Sequence, residues 1–146
     1  MRCWHKELIP VLDRQHLISQ FRECCCIAKS ISEKGTPNHI LVNRIIDYPL
    51  IHFIRYTWIV KCEMENRGYK CDWQKFIQYF PEKLQNSWAF MTVPFDEIFN
   101  GWHNNRYLNQ CLSNLQEKYD CGGITEEEWN KIENMYIGYL LEGVNL

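Results

Sequence analysis

No apolar run in these 146 residues approaches the ~18 that a membrane-crossing helix needs, so no membrane segment is expected. The opening MRCWHKELIP carries charges where a signal peptide would place its apolar stretch. Neither a secretion signal nor a transit peptide is read there, and a cytoplasmic protein is expected. Strand-like alternation of apolar and polar residues is nearly absent, which argues against a β-architecture. Internal repeats, low-complexity tracts and linker-like segments are missing, which leaves one domain, 1–146. There is no glycine-rich phosphate loop. There is no C-x-x-C pair either, although the chain holds 8 cysteines. Cys24, Cys25 and Cys26 are consecutive, and three consecutive helical residues cannot all face one metal. His16, His39, His52 and His103 match no ligand spacing. No metal and no cofactor are expected, and the cysteines read as free, partly buried thiols.

What is present is an apolar, aromatic chain. Hydrophobic residues make up 46% and aromatic residues 14%, enough to bury a core and to exclude disorder of the whole chain. The net charge is −2, but it is unevenly spread. Residues 1–80 hold 12 Lys/Arg against 8 Asp/Glu, and residues 81–146 hold 4 against 10. The N-terminal part therefore offers the face for an anionic polymer, and an acidic helical extension follows it.

Helical spacing dominates. Asp13 reads as an N-cap, and Leu17, Phe21, Cys24, Ala28 and Ile31 form a core face that ends near Gly35. NHILVNRIID, residues 38–47, has helical character. A long helix is expected after Pro49, closing at Gly68. Asp72 is expected to cap a short helix in DWQKFIQYF. Residues 82–101 read as loops with one or two helical turns. A helix is expected from Trp102 to Tyr119, and another after Thr125 and Glu128, which form a capping box. The fold class is all-α, a single compact domain of about five or six helices. Trp58, Trp73, Trp102 and Trp129 read as core, and His5 and Lys6 as surface residues.

The chemistry concentrates in RQHLISQFRE, residues 14–23. On a helix, Gln20, Glu23 and Ile27 lie within about 40° of His16. This stripe borders the apolar face, where the wall of a cleft would be. Arg22 lies beside Glu23 on the outer side, within reach of a phosphate. Trp4 reads either as an anchor for the terminus or as a platform on which an exposed base stacks.

The segment MRCWHKELIPVLDRQHLISQFRE resembles the N-terminus of the pyrimidine-dimer DNA glycosylases of the phage endonuclease V type. Gln15, His16, Leu17, Phe21, Arg22 and Glu23 carry the resemblance, at a gapless distance from the chain start. KGTPNHILVN, DYP and RGYKC resemble small bacterial proteins labelled as members of that family. Beyond residue 80 the likeness is thin, with QEK at Gln116–Lys118 its last trace.

The resemblance implies an all-α protein that grips damaged double-stranded DNA; a monomer is expected. It implies an N-terminal α-amine as nucleophile at C1′, an imine intermediate and strand cleavage by β-elimination. Glu23 matches the catalytic carboxylate, and Met1 or Arg2 would supply the amine. Arg22, His16, Gln15, Trp4 and Lys118 would contact DNA. Arg2 departs from the small second residue of the family and predicts that Met1 is retained. Cys3, Cys26 and Ile27 stand where phosphate-binding basic residues are expected. These departures keep a second possibility open: a non-catalytic all-α DNA- or protein-binding module on the same fold.

Overall fold

The first long helix begins where a carboxylate closes it. In the computed structural model, which describes residues 1–144, the Asp13 side chain accepts from the His16 N–H and caps α1 (Arg14–Lys34). Gly35 ends α1 in the left-handed conformation, φ +74°, with its N–H on Ile31 O. Leu17, Phe21, Cys24 and Ala28 are buried as their spacing predicts, and Ile31 is partly buried. Pro49 precedes α2 (Leu50–Asn66), which packs Phe53, Ile54, Tyr56, Thr57, Val60 and Met64 toward α1 and the core. Gly68, at φ +82°, lets the Tyr69 N–H reach Met64 O at 2.8 Å and close the helix. Beside it, Arg67 donates to Leu12 O at 2.7 Å and Pro10 O at 3.1 Å. Those bonds fasten a 3-10 turn, Lys6–Val11, to the end of α2.

The middle of the chain is less helical than its pattern suggests. NHILVNRIID yields only a 3-10 turn, Asn43–Asp47, because the Asn43 side chain binds the backbone of His39 instead of extending a helix. DWQKFIQYF yields the single turn α3 (Gln74–Ile77). Asp72 does accept from Gln74 N–H, but aromatic packing sets the path: Phe76 meets Phe53 at 5.2 Å and Trp73 meets Trp58 at 5.1 Å. One more short helix, α4 (Glu82–Gln85), and two 3-10 turns, Ala89–Thr92 and Phe95–Glu97, complete the expected loop region.

Two long helices close the domain. α5 (Asn105–Asp120) begins three residues later than its apolar pattern predicts. Asn104 takes the cap by accepting from Tyr107 N–H at 2.9 Å, and Trp102 stays buried in the preceding turn. α6 (Glu126–Val144) starts on the expected box: Thr125 N–H donates to Glu128, and Glu128 N–H donates to the Thr125 hydroxyl. Glu128 also accepts from Arg14 N–H at 2.9 Å, so the starts of α6 and α1 are joined. α6 packs on α5 and on the Lys6–Val11 turn. The fold is all-α, and the described residues contain no strand and no helix long and apolar enough to cross a membrane.

Candidate functional site

Residues 2–5 run as a non-helical arm into the Lys6–Val11 turn, and side chains from three helices bind its backbone. Gln20, one turn before Glu23 on α1, is fully buried and engaged at both ends. Its Oε1 accepts from Trp4 N–H at 2.8 Å, and its Nε2 donates to Arg2 O at 2.9 Å. From α2, the Tyr56 hydroxyl donates to Trp4 O at 2.6 Å. From α5, the Tyr107 hydroxyl donates to Cys3 O at 2.5 Å. Burial pushes both phenols above their ordinary range, so they remain O–H donors. Lys6 N–H donates to His103 Nδ1 at 3.0 Å. These side chains do for the arm what a neighbouring strand would do.

The clamp fixes where the chain start lies. The N–H of Arg2 donates to Glu23 Oε2 at 3.1 Å. Met1, 42% exposed, lies at the rim of a cavity of about 330 Å³ lined by Met1, Arg2, Trp4, Gln15, His16, Ser19, Glu23, Leu41, Asn114 and Lys118. A volume of this size falls in the range of ligand sites. Seven of the eight residues singled out by sequence line this cavity: Met1, Arg2, Trp4, Gln15, His16, Glu23 and Lys118. They come from the arm, from α1 and from α5. Arg22 does not join them. It is exposed on the next groove of α1, beside Arg14, Ile18 and Ser19.

His16 Nδ1 lies 2.8 and 2.7 Å from the two oxygens of the buried Asp13 carboxylate. A carboxylate only accepts, so Nδ1 carries the proton and the ring is oriented. Trp4 meets that ring edge-on at 5.5 Å, and the Arg2 guanidinium covers the indole at 5.3 Å. Trp4 is 5% exposed, so it anchors the arm and offers the cavity little open ring face.

Two sequence expectations are corrected. His5 and Lys6, expected at the surface, are both buried. His5 stacks on His103 at 5.0 Å and accepts from Glu7 N–H. Lys6 places its ammonium on Asp96 O at 3.0 Å and Ile98 O at 2.8 Å, and burial lowers its pKa. Held by those carbonyls, Lys6 is not among the cavity residues. The Gln20, Tyr56 and Tyr107 clamp was not foreseen. A glutamine on the stripe that borders the core face of α1 was its one visible signal, since a buried amide needs partners from elsewhere. Ile27 on the same stripe is buried core. The cysteines are all free, and burial raises the thiol pKa of Cys3, Cys24 and Cys111 around the arm. Among the described residues no cluster of three His, Cys, Asp or Glu has the geometry to hold a metal.

The family model described as pyrimidine dimer DNA glycosylase matches residues 1–76, the segment holding the arm, α1 and α2. No curated protein and no solved structure matches the chain.

Proposed function

We propose, from the premise that the chain belongs to the pyrimidine dimer DNA glycosylase family, that it releases a damaged pyrimidine from duplex DNA at the Met1–Glu23 cavity. One observation carries this reading. The nitrogen of residue 2 lies 3.1 Å from the Glu23 carboxylate, in the wall of a cavity that the chain start itself lines.

The chemistry follows from an amine beside a carboxylate. α-Amines titrate near ~7.7–8.0, against ~10.4 for lysine, so an α-amine is the better nucleophile near neutral pH. The amine of Met1 attacks C1′ of the damaged nucleotide. The N–C1′ bond forms as the glycosidic bond breaks, and the departing base keeps the electron pair and takes up a proton. The amine gives up its proton, the sugar ring opens and a C1′ imine results. Loss of a C2′ proton then expels the 3′ phosphate oxygen with its electron pair, and water hydrolyses the imine. Glu23 stabilises positive charge developing on the sugar and accepts protons. Lys118, Gln15 and, from the neighbouring groove, Arg22 hold phosphates of the strand. His16, oriented by Asp13, positions the damaged nucleotide. One chain is sufficient for this site.

A second reading is favoured by the same hydrogen bond. With Met1 in place, the nitrogen at Glu23 is a peptide amide, and Glu23 then serves as one more clamp on the arm of a non-catalytic binding module. Borohydride separates the two. Incubated with duplex DNA carrying a thymine dimer or an abasic site, the protein is expected to form a reduced covalent adduct that maps to Met1. No adduct on either duplex and no glycosidic cleavage of the dimer duplex would overturn the catalytic reading and leave the binding module.

A further inference from the structure

Between Gly35 and the Asn43–Asp47 turn, the chain reads TPNHILV. Val42 and Ile45 are fully buried, while Ile40 is 86% exposed and Leu41 48% exposed. Single exposed aliphatic residues are ordinary and imply nothing by themselves. Two further observations distinguish this pair.

The first is rigidity. Asn43 Oδ1 accepts from His39 N–H at 2.9 Å and from the Thr36 hydroxyl at 3.4 Å. The Thr36 hydroxyl oxygen in turn accepts from Asn38 N–H at 3.2 Å. Ser30 of α1 donates to Thr36 O at 2.8 Å. Val42 and Asn43 N–H both donate to His39 O, and Leu41 N–H donates to His39 Nδ1 at 3.3 Å. Asn38 takes the left-handed conformation, φ +58°, which asparagine tolerates better than most residues. The tip that bears Ile40 is therefore held in one shape. The second observation is position: Leu41 lines the same cavity as Met1, Arg2, Glu23 and Lys118.

A group that reacts at C1′ needs the damaged nucleotide out of register with its neighbours, and opening a base step gives up stacking. A preorganised apolar tip loses little entropy on insertion and fills the vacated space. Its lack of polar groups makes it indifferent to sequence, as a lesion-directed protein requires. We propose that the Ile40–Leu41 tip is a wedge that enters the base stack of the damaged duplex beside the cavity and holds it open. The inference rests on the DNA-repair reading.

The test uses a duplex with a reduced abasic site, which forms no imine, and 2-aminopurine in the opposite strand. Binding of the wild-type protein is expected to raise 2-aminopurine fluorescence several-fold. Ile40→Ser is expected to remove more than half of that rise, with its thermal midpoint and its affinity for undamaged duplex unchanged. Ile40→Phe is expected to keep the rise. No rise with the wild-type protein, or an equal rise with Ile40→Ser, overturns the wedge. Base release from a dimer duplex is measured in parallel, after photoreversal of the dimer frees any base whose glycosidic bond has been cut. A fluorescence rise lost in Ile40→Ser without base release upholds the wedge and sinks the catalytic reading. Base release with fluorescence indifferent to Ile40 does the reverse.

Discussion

The backbone nitrogen of Arg2 and the Glu23 carboxylate meet at 3.1 Å, which puts the chain start and the α1 carboxylate in a single site. Replacing Glu23 by Gln keeps an acceptor for the Arg2 N–H and removes the charge. Under the glycosylase reading, Glu23→Gln is expected to lower base release by roughly 100-fold or more. Affinity for dimer-containing DNA is expected to stay within a few-fold. Gel-shift titration and single-turnover base release on the same protein check both halves. Unaltered release would remove Glu23 from the chemistry.

The same contact makes a second prediction. A variant that begins at Arg2 converts the peptide nitrogen beside Glu23 into an α-amine. Borohydride trapping of this variant on abasic duplex is expected to persist, with the adduct moved from Met1 to residue 2. An adduct formed by the full chain and lost in the shortened one would assign the chemistry to an amine placed one residue further out.

Much of this site was legible because α1 is locally determined. Asp13, the apolar spacing and Gly35 fix its ends and its face, and so place His16 and Glu23 on one stripe. The bonds that carry the arm into the site were not legible. Tyr56, Tyr107 and Gln20 are distant from the arm in sequence, and nothing local to them names a backbone partner. His5 and Lys6 looked exposed because isolated polar residues near a terminus usually are. Their burial depends on His103 and on the carbonyls of Asp96 and Ile98. The late start of α5 has a local cause, the Asn104 cap, which the neighbouring aromatic pattern obscured.

Gln20 is the center of the clamp, and its loss should be felt twice. Gln20→Leu keeps bulk but leaves Trp4 N–H and Arg2 O without their side-chain partner in a buried setting. Each stranded group costs about 1–3 kcal/mol. A lower thermal midpoint is expected, together with a loss of base release that persists below the new midpoint. Tyr56→Phe, which removes the hydroxyl that bonds Trp4 O and Gln20 Oε1 but leaves both Gln20 bonds to the arm, is expected to show a smaller version of both effects. Release unaffected in a folded Gln20→Leu protein would show that the arm needs no clamp.

Arg22 and Lys118 lie on adjoining grooves and are proposed to contact different phosphates. Each contact contributes ~0.9 to the slope of log affinity against log salt. Arg22→Ala and Lys118→Ala are each expected to lower that slope by about one contact, and the double variant by about two. Lys131→Ala, exposed on α6, serves as the control and is expected to leave it unchanged. Fluorescence anisotropy across ~50–200 mM salt reads this directly. Equal slopes in the wild type and all four variants would place the DNA elsewhere.

Acid should loosen the arm before it affects the rest of the fold. Burial lowers the pKa of His5 to about 4, and burial with the neighbouring His5 and Lys6 charges holds His103 well below the ordinary histidine range. Both rings are therefore neutral in the folded protein at pH 5, whereas in the unfolded chain they titrate near ~6.5. Between those values the unfolded state binds more protons, so stability is full above ~6.5 and falls as the pH drops toward 4. The slope is ~1.4 kcal/mol per pH unit for each proton in the difference. The thermal midpoint is expected to be flat from pH 8 to 7 and to decline below 6.5. His5→Asn retains an acceptor for the Glu7 N–H that His5 now caps, and is expected to flatten part of the decline. A wild-type midpoint constant down to pH 5 would mean that the His5–His103 pair is not kept neutral by the fold. In that case protonation could not be what releases the arm.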